Sequence, residues 1–144
     1  MKRMCSTKLT PLIAGLLFAI LAVPLSAQPV HESHPFYDIT KEITISGAAT
    51  SVLKTPAEGM ILGSHLLVET ASGTVDASLG KWGLQGKGAP SITIGEQVTL
   101  RGVVKTVRER QVFFVRTVEA GGHIYTMRNV HGVPVSPQSR ERVS

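Results

Sequence analysis

The sequence predicts an all-β fold, a single small domain whose sheet closes on itself. No stretch of twelve residues repeats its apolar positions with a helical period, while short runs rich in Val, Ile and Thr are separated by glycines. Two of the longer runs, EITISGAATSV (42 to 52) and QVTLRGVVKTV (97 to 107), also share a plan. Each sets apolar residues at alternate positions, Ile43 and Ile45 or Val98 and Leu100, then a glycine, Gly47 or Gly102, and then continues as a strand. A glycine inside a strand pattern marks a bulge or sharp bend, and two long bent strands let a sheet coil into a barrel without exposed edges.

The chain opens with MKRMCSTK, carrying Lys2, Arg3 and Lys8 and no acid, followed by the uncharged run Leu12 to Val23 and then Pro24-Leu25-Ser26-Ala27. A basic start, a 12-residue apolar run and a small residue suited to cleavage predict an export signal over 1 to 27, removed near Ala27. The run is short for a bilayer span of ~20 residues; a retained anchor is the alternative, because Leu9 to Ala27 carries no charge. The signal takes with it three bases and the single cysteine, Cys5. The whole chain has 15 Lys and Arg against 10 Asp and Glu, net +5, so the remainder has 12 against 10, net +2. A mature chain without thiols has no disulfides, thiolate metal sites or cysteine nucleophiles.

After an extension over 28 to 38, the barrel domain is expected over 39 to 131, one domain by its length. Its expected strands are Glu42 to Leu53, His65 to Thr70, Thr74 to Leu79, Gln97 to Arg108, Gln111 to Ala120 and His123 to Val130. Ala71-Ser72-Gly73, Arg108 to Arg110 and Gly121-Gly122 supply the hairpin turns, the last a dipeptide suited to positive φ. Residues 80 to 92, GKWGLQGKGAPSI, connect the third and fourth strands; four glycines and Pro90 disfavour a long helix, and Trp82 and Leu84 are placed to plug the barrel bottom. Residues 132 to 144, with Pro134 and Pro137, are expected to form an extended, flexible tail.

Long bent strand, hairpin, connection, second bent strand, hairpin: this order resembles the OB-fold, a five-stranded Greek-key barrel, here with an extra C-terminal strand. IGEQVTLRGVV (94 to 104) is similar to the start of the fourth strand of many such domains, and FYDITKEITISG (36 to 47) to the start of a group of small secreted bacterial domains of unknown function. That group has an Asn-Pro-His after its first strand, where this chain has Gly63-Ser64-His65, so His65 alone matches. The resemblance spans roughly 36 to 130 and implies a fold more than an activity.

HIYTMRNVH (123 to 131) is the stretch closest in appearance to chemistry. As a strand it puts His123, Tyr125, Met127, Asn129 and His131 on one face and Ile124, Thr126, Arg128 and Val130 on the other. At ~3.3 Å per residue the two histidines are ~26 Å apart, too far to share an ion unless the strand breaks. His31-x-x-His34 and His65 complete the histidines, and a copper or zinc site using His31, His34 or His65 is the alternative to a metal-free protein without cofactor. GKWGLQGKG fails as a phosphate loop, because Lys81 and Gly88 stand where the motif needs its first glycine and its Ser or Thr. No nucleophile elbow, zinc helix, calcium loop or grouped acid/base carboxylates occur, so an enzyme is not expected.

Charge is uneven: residues 28 to 100 hold four bases and seven acids, and 101 to 144 eight bases and three acids. Basic strands near Phe113, Phe114 and Tyr125 resemble a nucleic-acid surface, but export removes the nucleic acid and leaves an acidic envelope protein or an anionic glycan as partner. The expected ligand surface comprises Met60, Ile61, Leu62, His65, Trp82, Arg108, Arg110, Arg116 and Arg128. Met60 to Leu62 lie in the loop after the first strand, where OB-folds meet ligands, with a plug over the barrel end as their other possible role. The expectation is an exported, non-catalytic binding module of the cell envelope, in the periplasm or secreted, touching membrane only if the signal stays attached.

Overall fold

The computed structural model describes residues 37 to 141; the segment expected to be an export signal, His31 and His34 lie outside them. Six strands follow in order: β1 (Ile43–Leu53), β2 (Ser64–Thr70), β3 (Gly73–Gly80), β4 (Gln97–Val107), β5 (Arg110–Ala120) and β6 (His123–Thr126). A 3-10 turn, Ile39–Lys41, precedes them and a short helix, α1 (Pro137–Glu141), ends the described chain. The order across the sheet is β3-β2-β1-β4-β5-β6, and β3 also pairs with β5 in parallel through Ala77 with Phe113 and Ser78 with Phe114. That last contact closes an OB-like Greek-key barrel of five strands, with β6 an addition along β5.

Glycine permits the closure. A side chain on Gly47 would fall on the carbonyl oxygen of Glu69 in β2, and one on Gly102 would fall on the carbonyl oxygen of Phe114 in β5. Gly47 lies where β1 passes from β4, its partner over residues 43 to 48, to β2. Bulges complete the bend. In β1 the register slips between Ala49 and Ser51, making Thr50 the extra residue. In the β4–β5 pair Arg101 faces Thr117 and Gly102 faces Val115, so Arg116 is the extra residue. The core records the slip: Phe113 and Val115 point inward, then Val118 and Ala120, an odd phase followed by an even one.

Leu66, Val68, Ala77, Leu79, Val98, Leu100 and these β5 residues fill the barrel, and Leu84 and Met127 join them. Leu84 is thus the plug expected of the 80 to 92 connection, whereas Trp82 stays half-buried outside that cluster. A second apolar cluster lies on the outside of the barrel, where Tyr37 and Ile61 pack on Val103, Val112 and Phe114.

Two expectations are corrected. The sixth strand ends at Thr126 rather than Val130, because the amides of Met127 and Arg128 both donate to the Arg116 carbonyl at the β5 bulge (2.7 and 3.3 Å). Both side chains are buried, at 2% and 5% exposure, Met127 within the barrel core and Arg128 against the barrel's outer face. Nor do residues 132 to 141 run as an extended tail. Arg128 bridges to Pro134, the Val135 amide donates to the Met127 carbonyl (2.9 Å), and α1 holds Arg140 with its guanidinium on the carbonyls of Trp82 (2.6 Å) and Gln85 (3.1 Å).

Because backbone rather than a flexible side chain meets the added methyl, Gly102→Ala is expected to destabilise the domain by about 3 kcal/mol or more in urea unfolding. A loss under about 0.5 kcal/mol would mean that β4 and β5 are not in this close approach.

Candidate functional site

Strand alternation puts His65, Asp76 and Ser78 on the outside of β2 and β3, with Leu66, Ala77 and Leu79 on the inside. In OB-folds this outer face and its flanking loops meet ligands. Here the chain covers the face itself. His65 is fully buried, with Nδ1 2.6 Å from Asp76 Oδ1 and Nε2 donating to the Ile61 carbonyl at 2.8 Å, so the β1–β2 loop folds over it. Arg128 arrives from the other side. One of its terminal nitrogens donates to Ser78 Oγ (3.0 Å), the other to the Gly132 carbonyl (3.3 Å), and its guanidinium carbon stands 5.1 Å from the centre of the Phe114 ring. Burial lowers the Arg128 pKa to about 10, partly offset by attraction to Tyr37. Ser78 and Phe114 are partners across the closing β3–β5 contact, so Arg128 clamps that seam.

Arg116 is likewise committed. Its Nε pairs closely with Glu42 Oε1 and a terminal nitrogen donates to Glu42 Oε2 at 3.0 Å. Tyr37 donates its hydroxyl to the same carboxylate (2.7 Å) and Arg101 donates its Nε (2.7 Å). The Glu42 side chain is only 2% exposed. Hydrogen bonding from Arg116, opposed by burial and reinforced by Tyr37, holds the Glu42 pKa at about 2. Burial and the bond to Glu42 raise that of Tyr37. This network ties the segment before β1 to β4 and β5.

Of the nine residues expected to form a ligand surface, His65, Arg116 and Arg128 are thus engaged within the fold. Met60 and Ile61 are half-buried, Ile61 in the outer apolar cluster, while Leu62 is 88% exposed. Arg108 and Arg110 are exposed at the β4–β5 turn. A side chain on Gly59 would come within 2.9 Å of a terminal nitrogen of Arg110, so the β1–β2 loop and this turn are neighbours. Trp82 is carried on the 80 to 92 connection, with Lys81 5.1 Å from its ring centre. The structure therefore brings Leu62's loop and Arg110 together and leaves Trp82 on another element.

Among the described residues no three His, Cys, Asp or Glu side chains group as a metal site, and each ring nitrogen of His65 is engaged within the fold, so ligating a metal would break one of its two bonds. Glu42, Tyr37, Asp76 and Ser78 were not singled out by the sequence. Only Asp76 left a signal there, because the Ala71-Ser72-Gly73 turn sets the register that places it diagonally across from His65.

Compared with family models, curated proteins and solved structures, the chain matches none. The class established is therefore that of the fold, an OB-like barrel with an added strand whose outer face is covered by its own chain.

A carboxylate whose folded pKa is held at about 2, against an ordinary 4.5, contributes stability that is fully present above pH 4.5 and lost as pH falls towards 2. Glu42→Gln is expected to lower stability at neutral pH by about 2 to 3 kcal/mol and to flatten its dependence over that window, as followed by urea unfolding at a series of pH values. An unchanged acid limb would place the titrating group elsewhere.

Proposed function

We propose that this protein is a non-catalytic binding module exported to the cell envelope, and that it meets an acidic envelope protein or anionic glycan through the β1–β2 loop and the β4–β5 turn. The observation that carries the reading is Leu62, 88% exposed on a loop that Arg110 touches. A large apolar side chain held out in water, on a loop bordered at Gly59 by a cation, suits a contact that buries one and pairs the other. The excess of bases after residue 100 supports an anionic partner. So does the self-covered outer face, which leaves the two loops as the parts of an OB-like surface within reach of a partner. The basic and apolar run at the start of the chain supports export.

The test is cross-linking in intact cells producing the full chain with a C-terminal tag, followed by fractionation. Leu62→Ser and Arg110→Glu are each expected to lose the cross-linked partner, since removing a buried leucine contact is worth about 1.5 to 3 kcal/mol, tenfold or more in affinity. Ile94→Ser, at another exposed position (69%), is expected to retain it. Equal partner recovery from all three would remove this surface, and retention of the tagged chain in the cytoplasm would remove the envelope assignment.

A further inference from the structure

Two hairpin turns of this chain share one backbone shape and differ in composition. Gly121 and Gly122, between the paired Ala120 and His123, both lie at positive φ, 56° and 78°. Arg108 and Glu109, between the paired Val107 and Arg110, do the same at 49° and 65°. Such a two-residue turn matches the twist of its strands, and glycine adopts it most readily because a Cβ crowds the backbone at positive φ. At Gly122 an added Cβ would meet nothing within 4 Å, so conformation alone accounts for glycine there. The β4–β5 turn thus carries two side chains at a conformational cost that the β5–β6 turn avoids. Among the described residues, Arg108 and Glu109 are the only ones besides glycine at positive φ. Both are exposed, so burial does not offset that cost, and a strained backbone of this kind points to a use for the side chains it displays.

The charges at this end of the barrel decide between the two kinds of partner. Gly59, next to Glu58, adjoins Arg110, and Leu62 stands on the same loop. Glu58, Arg108, Glu109 and Arg110 are all exposed, and their formal charges sum to zero. Arg101, Arg116 and Arg128, which supply part of the basic excess after residue 100, are bonded within the fold. An anionic glycan would therefore meet a balanced rim with a carboxylate at the apex of the turn, where like charges repel. It would also surround Leu62 with hydroxyl and acid groups. A protein surface supplies what both features need, an apolar recess for the leucine and charges of both signs around it.

We infer that the partner is a protein rather than a glycan, and that Glu109 selects it by pairing with a cation on the partner, beside the carboxylate that Arg110 meets. This rests on the loop-and-turn surface proposed above.

The test combines urea unfolding of the purified protein with cross-linking of the full tagged chain in intact cells. Glu109→Gly relieves the turn and removes the carboxylate, so its urea midpoint is expected to rise while most of the cross-linked adduct is lost. A midpoint that does not rise would show that the turn is not under strain and would overturn the inference. Glu109→Lys keeps a long side chain and makes the turn wholly cationic. It is expected to lose the adduct, whereas an anionic glycan would be held more tightly, and a gain of adduct would overturn the inference. So would a sugar, in place of a peptide from a second protein, joined to the wild-type chain in mass spectra of the trypsin-digested adduct. The two readings fail separately. If Leu62→Ser and Arg110→Glu lose the adduct while both Glu109 variants keep it, the role of Glu109 falls and the surface stands; if all four keep it, the surface falls too.

Discussion

A guanidinium buried to 5% exposure, with no carboxylate beside it among the described residues, governs the outer half of this molecule. Arg128 reaches Ser78 on β3 and lies over Phe114 on β5, the two residues that face each other where the barrel closes. Only two residue pairs make that closure, and a seam so short gains from a group that binds both sides. Burying a charge is expensive unless hydrogen bonds and a polarisable ring replace its water. Arg128 therefore fits in one geometry, which also requires the Gly132 carbonyl and hence the turn of chain that delivers it.

Several features follow from that clamp. Residues 127 to 135 are drawn across β3 and β5, Gly132 is brought so near Tyr37 that a side chain there would strike its ring, and Tyr37 in turn donates to Glu42. From the opposite side the β1–β2 loop comes down through the bond between His65 and Ile61. A surface that in an OB-like barrel is open to ligands thus becomes an interior, with a histidine, an arginine and a serine buried in it. What faces solvent is displaced to the rims: Leu62 and Arg110 at the loops, and a cleft where β3 and β5 have not yet met.

The barrel was legible because its causes are local. Five of the six strands run within one residue of their expected bounds, since alternation, turn glycines and β-branched runs act over a few positions. Gly47 and Gly102 were legible as bends, although the reason, a neighbouring carbonyl where Cβ would stand, is a contact between strands. The outer layer was not legible. Arg128 falls on a polar strand face by alternation and is buried only because a bulge at Arg116, twelve positions earlier, offers a carbonyl that two successive amides share. Arg116 itself resembled a ligand-facing cation, and its partner Glu42 is 74 residues away. Glu42 has no local feature to mark it, since three donors converge on it from separate elements. Trp82, the lone tryptophan, attracted attention by its size, while the smaller Leu84 two residues on takes the buried place.

If Arg128 joins the covering segment to the seam, the two open as one unit. Native-state hydrogen exchange at increasing low denaturant measures this directly, comparing the Met127 and Val135 amides, bonded to Arg116 and Met127 carbonyls, with those of Ser78 and Phe114 at the closure. The expected result is a single opening free energy shared by all four. Free exchange at Met127 and Val135 with Ser78 and Phe114 still protected would show a barrel that closes without its cover, and would contradict the account.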